Sequence, residues 1–325
     1  MKQYFLFAVA ALLIVSSAAT GQIAEAQTMN TTKQHKTLRL LMPQWQGGDY
    51  DLSVPTRELY PLGARILAFL APKSDAPLVE VPVEAFTGAP KTKKNGIVQQ
   101  DVLLRQLRAA RKIIDEYAPD RIIMFGGDCL VSQAPFSYLN ERYRGKLGIL
   151  WLDAHPDIST PQIHDREHAM ILGNLIGGGD PVFANEVKMP LAPNQVLIVG
   201  VSGYNDPREE KLIKDTGLRV LTPQDVADNS DAVLRWIRDN DFDQIAIHFD
   251  VDVLDPKSFY SQFPNDPSAT DKFNTSLGKL TIPQLTRVIQ DVSGATDVVG
   301  FGITEHMPWD ARNLKHMMNS FDFMK

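Results

Sequence analysis

Gly148-Ile-Leu-Trp-Leu-Asp-Ala-His-Pro-Asp-Ile-Ser159 is a short apolar run that ends in polar side chains at every second position. Ile149 to Leu152 form the run, and Asp153, His155 and Asp157 follow it. A continuous apolar run of this length suits a strand buried on both faces, as in a parallel sheet. Alternate side chains of an extended segment share a face, so polar groups at i, i+2 and i+4 can converge on one point. In open α/β sheets ligands gather at the carboxyl ends of the strands. The stretch therefore reads as the rim of an α/β sheet carrying a hard-cation or metal-water site.

Three further stretches repeat the pattern. Gln244-Ile-Ala-Ile-His-Phe-Asp250 is an apolar run that leads into Asp250, Asp252 and Asp255-Pro256. Arg121-Ile-Ile-Met-Phe-Gly-Gly-Asp-Cys129 ends in a glycine turn, an acid and a thiol. Asp297-Val-Val-Gly-Phe-Gly-Ile-Thr-Glu305 ends in a carboxylate. An unpaired acid at a buried strand end costs several kcal/mol unless a cation neutralises it. Four such ends are hard to explain by folding alone. Taken singly, each has a plainer reading: Asp255-Pro256 as a turn, Asp128 as a brace for the Gly126-Gly127 turn, His168 as a surface helix residue.

In this order the four runs resemble the arginase/agmatinase (ureohydrolase) family, over about Leu38 to the C-terminus. The family motifs read Gly-Gly-Asp-His, Asp-Ala-His-x-Asp and Asp-x-Asp-x-x-Asp-Pro, followed by a late Glu. The second and third are complete here, and their pairing is the specific part of the resemblance. The resemblance implies a three-layer α/β/α fold with a mainly parallel sheet. It implies a pair of divalent ions, Mn2+ in the family, in which Asp153 and Asp250 bridge. His155 and Asp252 would complete one ion, Asp157 and residue 129 the other. Two ions ~3.5–4 Å apart make hydroxide available near neutral pH, and that hydroxide would attack a guanidinium carbon and release urea. Asp255 would orient a ligand or the hydroxide. Glu305 would pair with the guanidinium, and His168 would shuttle a proton. The resemblance also implies a small guanidino or amidino substrate and a trimer or hexamer.

The first motif departs from the family, because Cys129 stands where the family has a histidine ligand. Manganese prefers oxygen and imidazole, whereas thiolate favours zinc or another soft-tolerant ion. Three outcomes stay open: two ions of altered identity, one ion at Asp153/His155/Asp250/Asp252, or a binding protein on the same fold with a degenerate site. A deacetylase-like amidohydrolase is a further alternative. Substrate choice is open too. Ser159 replaces the family's Asn, and Thr160–Glu167 lacks its Ser-Gly-Asn-x-His pattern. Arginine, agmatine, a guanidino acid and another amidino compound all stand.

With 325 residues, 44% of them hydrophobic and 22% charged, the composition is that of a globular protein. A net charge of -6 argues against nucleic acid and anionic membrane as partners. Lys2, the apolar stretch Tyr4 to Val15 and Ala24-Glu25-Ala26 read as a signal peptide over residues 1–26. The stretch is short for a membrane span, so export to a periplasm or beyond is expected, with no membrane attachment after cleavage. Residues 27–325 are expected to form a single domain. Cys129 is the only cysteine, so no intrachain disulfide can form. Strands alternate with helical patterns, for example Tyr60 to Leu70, Gly96 to Tyr117, Val131 to Tyr143 and Asp225 to Asp239, which predicts a mainly parallel sheet with right-handed crossovers. Pro256 to Leu277 is the long irregular insertion and is expected to overhang the site.

Overall fold

The apolar runs become a parallel sheet in the computed structural model, which describes residues 35–50, 56–267 and 275–324. The expected signal peptide lies outside the described residues. The strands are β1 (Thr37–Met42), β2 (Leu78–Glu80), β5 (Arg121–Gly126), β6 (Leu147–Leu152), β7 (Val196–Val199), β8 (Arg219–Leu221), β9 (Gln244–Asp250) and β10 (Asp297–Thr304). A separate two-residue hairpin joins β3 (Lys93–Lys94) to β4 (Ile97–Val98). The eight-stranded sheet runs β2-β1-β5-β10-β9-β6-β7-β8, and every pairing is parallel. β2 takes an edge, which suits its short length and the proline at Pro82 just beyond it.

The helices are α1 (Thr56–Leu70), α2 (Gln100–Tyr117), α3 (Gln133–Arg142), α4 (Ile171–Leu175), α5 (Pro181–Ala184), α6 (Pro207–Thr216), α7 (Asp231–Asp239), α8 (Ile282–Ala295) and α9 (Trp309–Asn319). They cover both faces of the sheet. Ile149 and Trp151 of β6 belong to one core with Leu103 and Leu107 of α2 and Phe136 and Leu139 of α3. Leu150 and Leu152 belong to the other, with Val233 and Trp236 of α7 and Leu285 and Val288 of α8. Successive residues of β6 thus feed opposite cores, the alternation a strand imposes. All six residues of β6 are buried, as the unbroken apolar run requires. This is the three-layer α/β/α architecture.

Helix starts fall where the backbone finds acceptors. α8 begins at Thr281, whose hydroxyl accepts from the Gln284 N–H while Gln284 reaches back to the Thr281 N–H. α6 begins at Asp206, which accepts from the Arg208 N–H. The helical pattern over Asp225 to Asp239 is broken in two. A 3-10 turn at Pro223–Val226, closed by the Thr222–Asp225 pair, precedes α7.

Sheet order places the site. β5, β10, β9 and β6 are consecutive neighbours, and they carry the four polar strand ends. Cys129, Glu305, Asp250 and Asp153 are therefore side by side along one rim, although 176 positions of sequence separate the first two.

Candidate metal centre

Each strand end turns sharply. After β5 the chain passes through Gly126 and Gly127 into a 3-10 turn, Cys129–Ser132. A Cβ on Gly127 would lie 1.8 Å from the Gln44 carbonyl oxygen, so the approach admits only glycine. Asp128 braces this turn. Its carboxylate accepts from the Leu130 N–H at 3.2 Å, the Gly47 N–H at 2.8 Å and Gln44 Nε2 at 2.9 Å. Burial, and then Glu305, push its pKa up to about 6. Asp157 and Glu305 sit in the left-handed backbone region, at φ 47° and 63°. Such strain in non-glycine residues is a feature of functional sites.

Three donor clusters form among the described residues: one is Cys129, His168 and Glu305, and the other two share a residue. Ligand-capable atoms of Asp153, His155 and Asp252 all lie within 4.8 Å of one another. So do those of Cys129, Asp153, Asp157 and His248. Asp153 is common to both and has no solvent exposure. His155 Nδ1 is 3.1 Å from Asp252 and 3.5 Å from Asp153. Burial works to lower the His155 pKa, but Asp252 and Asp153 outweigh it and raise it well above the usual value. Burial, and then Asp252, push Asp153 up to about 7. Asp157 and Asp250 are raised by burial and by neighbouring acids.

Asp250 is bound differently. Its Oδ1 accepts from the Asp252 N–H at 2.7 Å, and its Oδ2 accepts from the Cys129 thiol at 2.9 Å. Burial, and then Asp250, hold the Cys129 thiol well above its usual pKa. Asp255 stands apart from the rim. Its carboxylate accepts from the Lys257 N–H at 2.8 Å and closes the turn at Pro256. This turn-capping contact is what the structure gives it.

His168 and Glu305 meet. His168 Nδ1 is 3.2 Å from Glu305 Oε1, and its Nε2 is 2.8 Å from the Tyr50 hydroxyl. Glu305 also accepts from the Cys129 N–H at 3.1 Å and from the Tyr60 hydroxyl. Burial lowers the His168 pKa, and Glu305 more than compensates. His164 faces Tyr50 from the same side, and burial drops its pKa to about 4. Tyr50, Tyr60 and His248 were not singled out from the sequence. The two tyrosines have no motif around them. His248 had a signal, since it lies two residues before Asp250 and so on the same face of the strand.

The residues fit a divalent cation. Asp157 Oδ2 and His248 Nε2 are buried and have no hydrogen-bond partner. Four aspartates, two imidazoles and a thiol crowd a rim where unneutralised charge is costly. Carboxylate and imidazole donors suit Mn2+ or Zn2+, and a thiolate would tilt the choice toward zinc. Above the rim lies a cavity of about 460 Å³, lined by Tyr50, His168, Asn205, Glu209 and Glu305 among others. Phe263, Pro264 and Thr275 from the long insertion also border it, and Thr275 Oγ1 is 2.9 Å from His155 Nε2.

A three-layer α/β/α sheet with this rim of carboxylates defines a class of metal-site α/β proteins. The sequence model of the arginase family matches residues 71–261, more than half of the chain, and the chain belongs to that family. It is 23% identical over 193 residues to an arginase of Staphylococcus aureus, covering 57% of this chain and 62% of that protein. The chain thus spans about three fifths of the length of that relative. In solved structures the fold is similar to Entamoeba histolytica arginase in complex with L-ornithine, with a TM-score of 0.68 and 19% identity over 84% of this chain and 90% of that one. It is also similar to Bacillus caldovelox arginase, with a TM-score of 0.66 and 19% identity over 85% and 92%.

Proposed function

We propose that this protein is a divalent-metal-dependent hydrolase of a linear guanidino or amidino C–N bond, releasing urea from a guanidine. The observation that carries the reading is Asp153, one buried carboxylate shared by two donor clusters that draw on β5, β6 and β9. Asp153, His155, Asp252 and Asp250 would hold one ion, and Asp153, Asp157, Asp250 and Cys129 a second. A bound divalent pair supplies Lewis acidity and a water nucleophile activated near neutral pH. Membership of the arginase family supports the same reaction class.

The chain's own groups would do the rest. Glu305, fixed by Tyr60, His168 and the Cys129 N–H, presents a carboxylate to a planar cation entering the cavity. His168 lies between Glu305 and Tyr50, so it can carry a proton to the departing amine. Among the described residues that line the cavity there is no lysine or arginine, while Asp206, paired with Arg208, and Glu209 are among its lining acids. That balance favours a guanidine bearing a second positive group over one bearing a carboxylate. Export of the mature chain belongs to the same proposal and rests on the apolar leader and its Ala24-Glu25-Ala26 site.

The test is urea release by purified protein loaded in turn with Mn2+, Co2+ and Zn2+. The substrates are agmatine, arginine and a guanidino acid. Turnover is expected with agmatine above the other two, and it should vanish in Asp250→Asn. No turnover with any guanidine under any of the three metals would defeat the reading. A second reading is a binding protein holding one ion, and the contact between the Cys129 thiol and Asp250 favours it. It predicts one bound ion per chain and no urea.

A further inference from the structure

His248 is an imidazole with an unexplained orientation. It lies inside β9 with no solvent exposure, and the residues between Gln244 and Asp250 are otherwise apolar. Burying a polar ring there is costly unless both nitrogens are used. One is used: Nδ1 is 3.0 Å from the Ser132 hydroxyl. The other, Nε2, has no partner, and its nearest charged neighbour is Asp153 Oδ2 at 3.9 Å, beyond hydrogen-bond reach.

Everything around the ring fixes it in this pose. Trp151 stacks on it with centroids 3.8 Å apart and planes 14° from parallel. Phe136 meets it edge-on at 6.5 Å. The Trp151 indole in turn donates to Asp153 Oδ2 at 3.1 Å, so the ring's support and the shared carboxylate form one assembly. Ser132 has its place because position 302 is glycine, where a Cβ would come within 2.9 Å of the hydroxyl oxygen. The Ser132 hydroxyl can accept from Nδ1–H, and in that tautomer Nε2 carries a lone pair. That lone pair faces the cluster of Cys129, Asp153 and Asp157, in which the Asp157 Oδ2 is the other buried atom without a partner.

We infer that His248 Nε2 is a metal ligand, supplying the imidazole to the ion held between Cys129, Asp153 and Asp157, with Ser132 as the residue that positions it. The inference rests on the divalent-metal reading above. It adds a donor that the strand-end motifs do not contain. With it, the second ion has a nitrogen donor whether or not the Cys129 thiol is ionised. The nitrogen comes from within β9, and the position after β5 is left to a thiol.

The test reads metal binding and needs no turnover. Co2+ is titrated into chelator-treated full-length protein, with calorimetry for affinity and elemental analysis for stoichiometry. The wild type is expected to bind about two ions, the number the two clusters sharing Asp153 provide. His248→Gln should leave the first ion, at Asp153, His155 and Asp252, unchanged. It should weaken the second by on the order of 100-fold or more, at or beyond the 10–100-fold typical of losing an outer partner. Ser132→Ala removes only a hydroxyl, so it keeps the test alive if His248→Gln does not fold. It should weaken the second ion alone by about 10–100-fold. A purely structural His248 would lower the melting temperature of metal-free protein and leave the second affinity untouched, and that result overturns the inference. Two ions in wild type with unchanged affinities in both variants defeats the His248 assignment and leaves the metal reading standing. A wild type that binds none of Mn2+, Co2+ and Zn2+ defeats both.

Discussion

Asp153 is the residue that two of the donor clusters share, so its replacement should have an effect no other single change has. Asp153→Asn is expected to lower metal content from about two ions per chain toward none, read by elemental analysis. His155→Asn should remove only one. Tyr60→Phe tests the other half of the site. It deletes the hydroxyl that holds Glu305 and is expected to reduce kcat/KM for a guanidine by roughly 10–100-fold, on the scale of one lost charge-assisted hydrogen bond. Metal content should not change, and a loss of metal in Tyr60→Phe would refute that division of labour. Residues such as Asp153, His155, Asp157, Asp250 and Asp252 were readable from sequence because they follow apolar runs at a spacing of two, although tight turns after the strands, not an extended face, hold Asp157 and Asp252 in place. Tyr50 and Tyr60 were not, because one lies in a loop and the other in α1, and only the packing of distant segments brings them to His168 and Glu305. Asp255 shares the motif of Asp250 and Asp252, and its carboxylate caps the turn it begins.

The turn after β5 carries the first motif, and it tolerates little. In Gly127→Ala the new methyl would meet the Gln44 carbonyl, a backbone atom that cannot swing aside. The expected cost is about 3 kcal/mol or more, the range of a forced backbone clash, and thermal denaturation of the metal-free variant checks it. The same turn positions Cys129, so metal affinity should fall with stability. Most elements were legible at this scale. Apolar runs marked the buried strands, and the stripe of Leu103, Leu107 and Ile114 marked α2. Boundaries were less so. The pattern from Asp225 onward looked like one helix because its apolar spacing is continuous. The Thr222–Asp225 pair instead closes a local turn, and α7 waits until Asp231.

For the molecule as a whole, the buried acids make stability depend on pH and metal together. Asp128 and Asp153 are raised to about 6 and about 7, above the ordinary aspartate value near 3.9 that the unfolded chain would show. The folded state therefore holds these protons more tightly than the unfolded state. Their contribution is fully present below about pH 4 and is lost as pH rises through 6 and 7. Metal-free protein should melt roughly 5–10 °C lower at pH 8 than at pH 5. Saturating divalent metal should shrink or reverse that difference, since ligands must be deprotonated to bind it. Equal melting temperatures at the two pH values without metal would contradict the crowding of acids at the rim. The sheet architecture was readable from the alternation of strand and helix patterns. Strand order was not, because nothing local in a run tells it which run will lie beside it.

That order has a consequence in time. β10 is the last strand in chain order, yet it lies between β5 and β9 at the middle of the sheet. A chain emerging from the ribosome can pair β1 with β5, and β6 with β7 and β9, as two separate half-sheets. Only when the final strand slides between them do Cys129 and Asp250 come within reach of each other. A chain interrupted before Asp297 would keep β6 paired with β9, and with them Asp153, His155 and Asp252, but would lack Glu305 and the strand that joins Cys129 to Asp250.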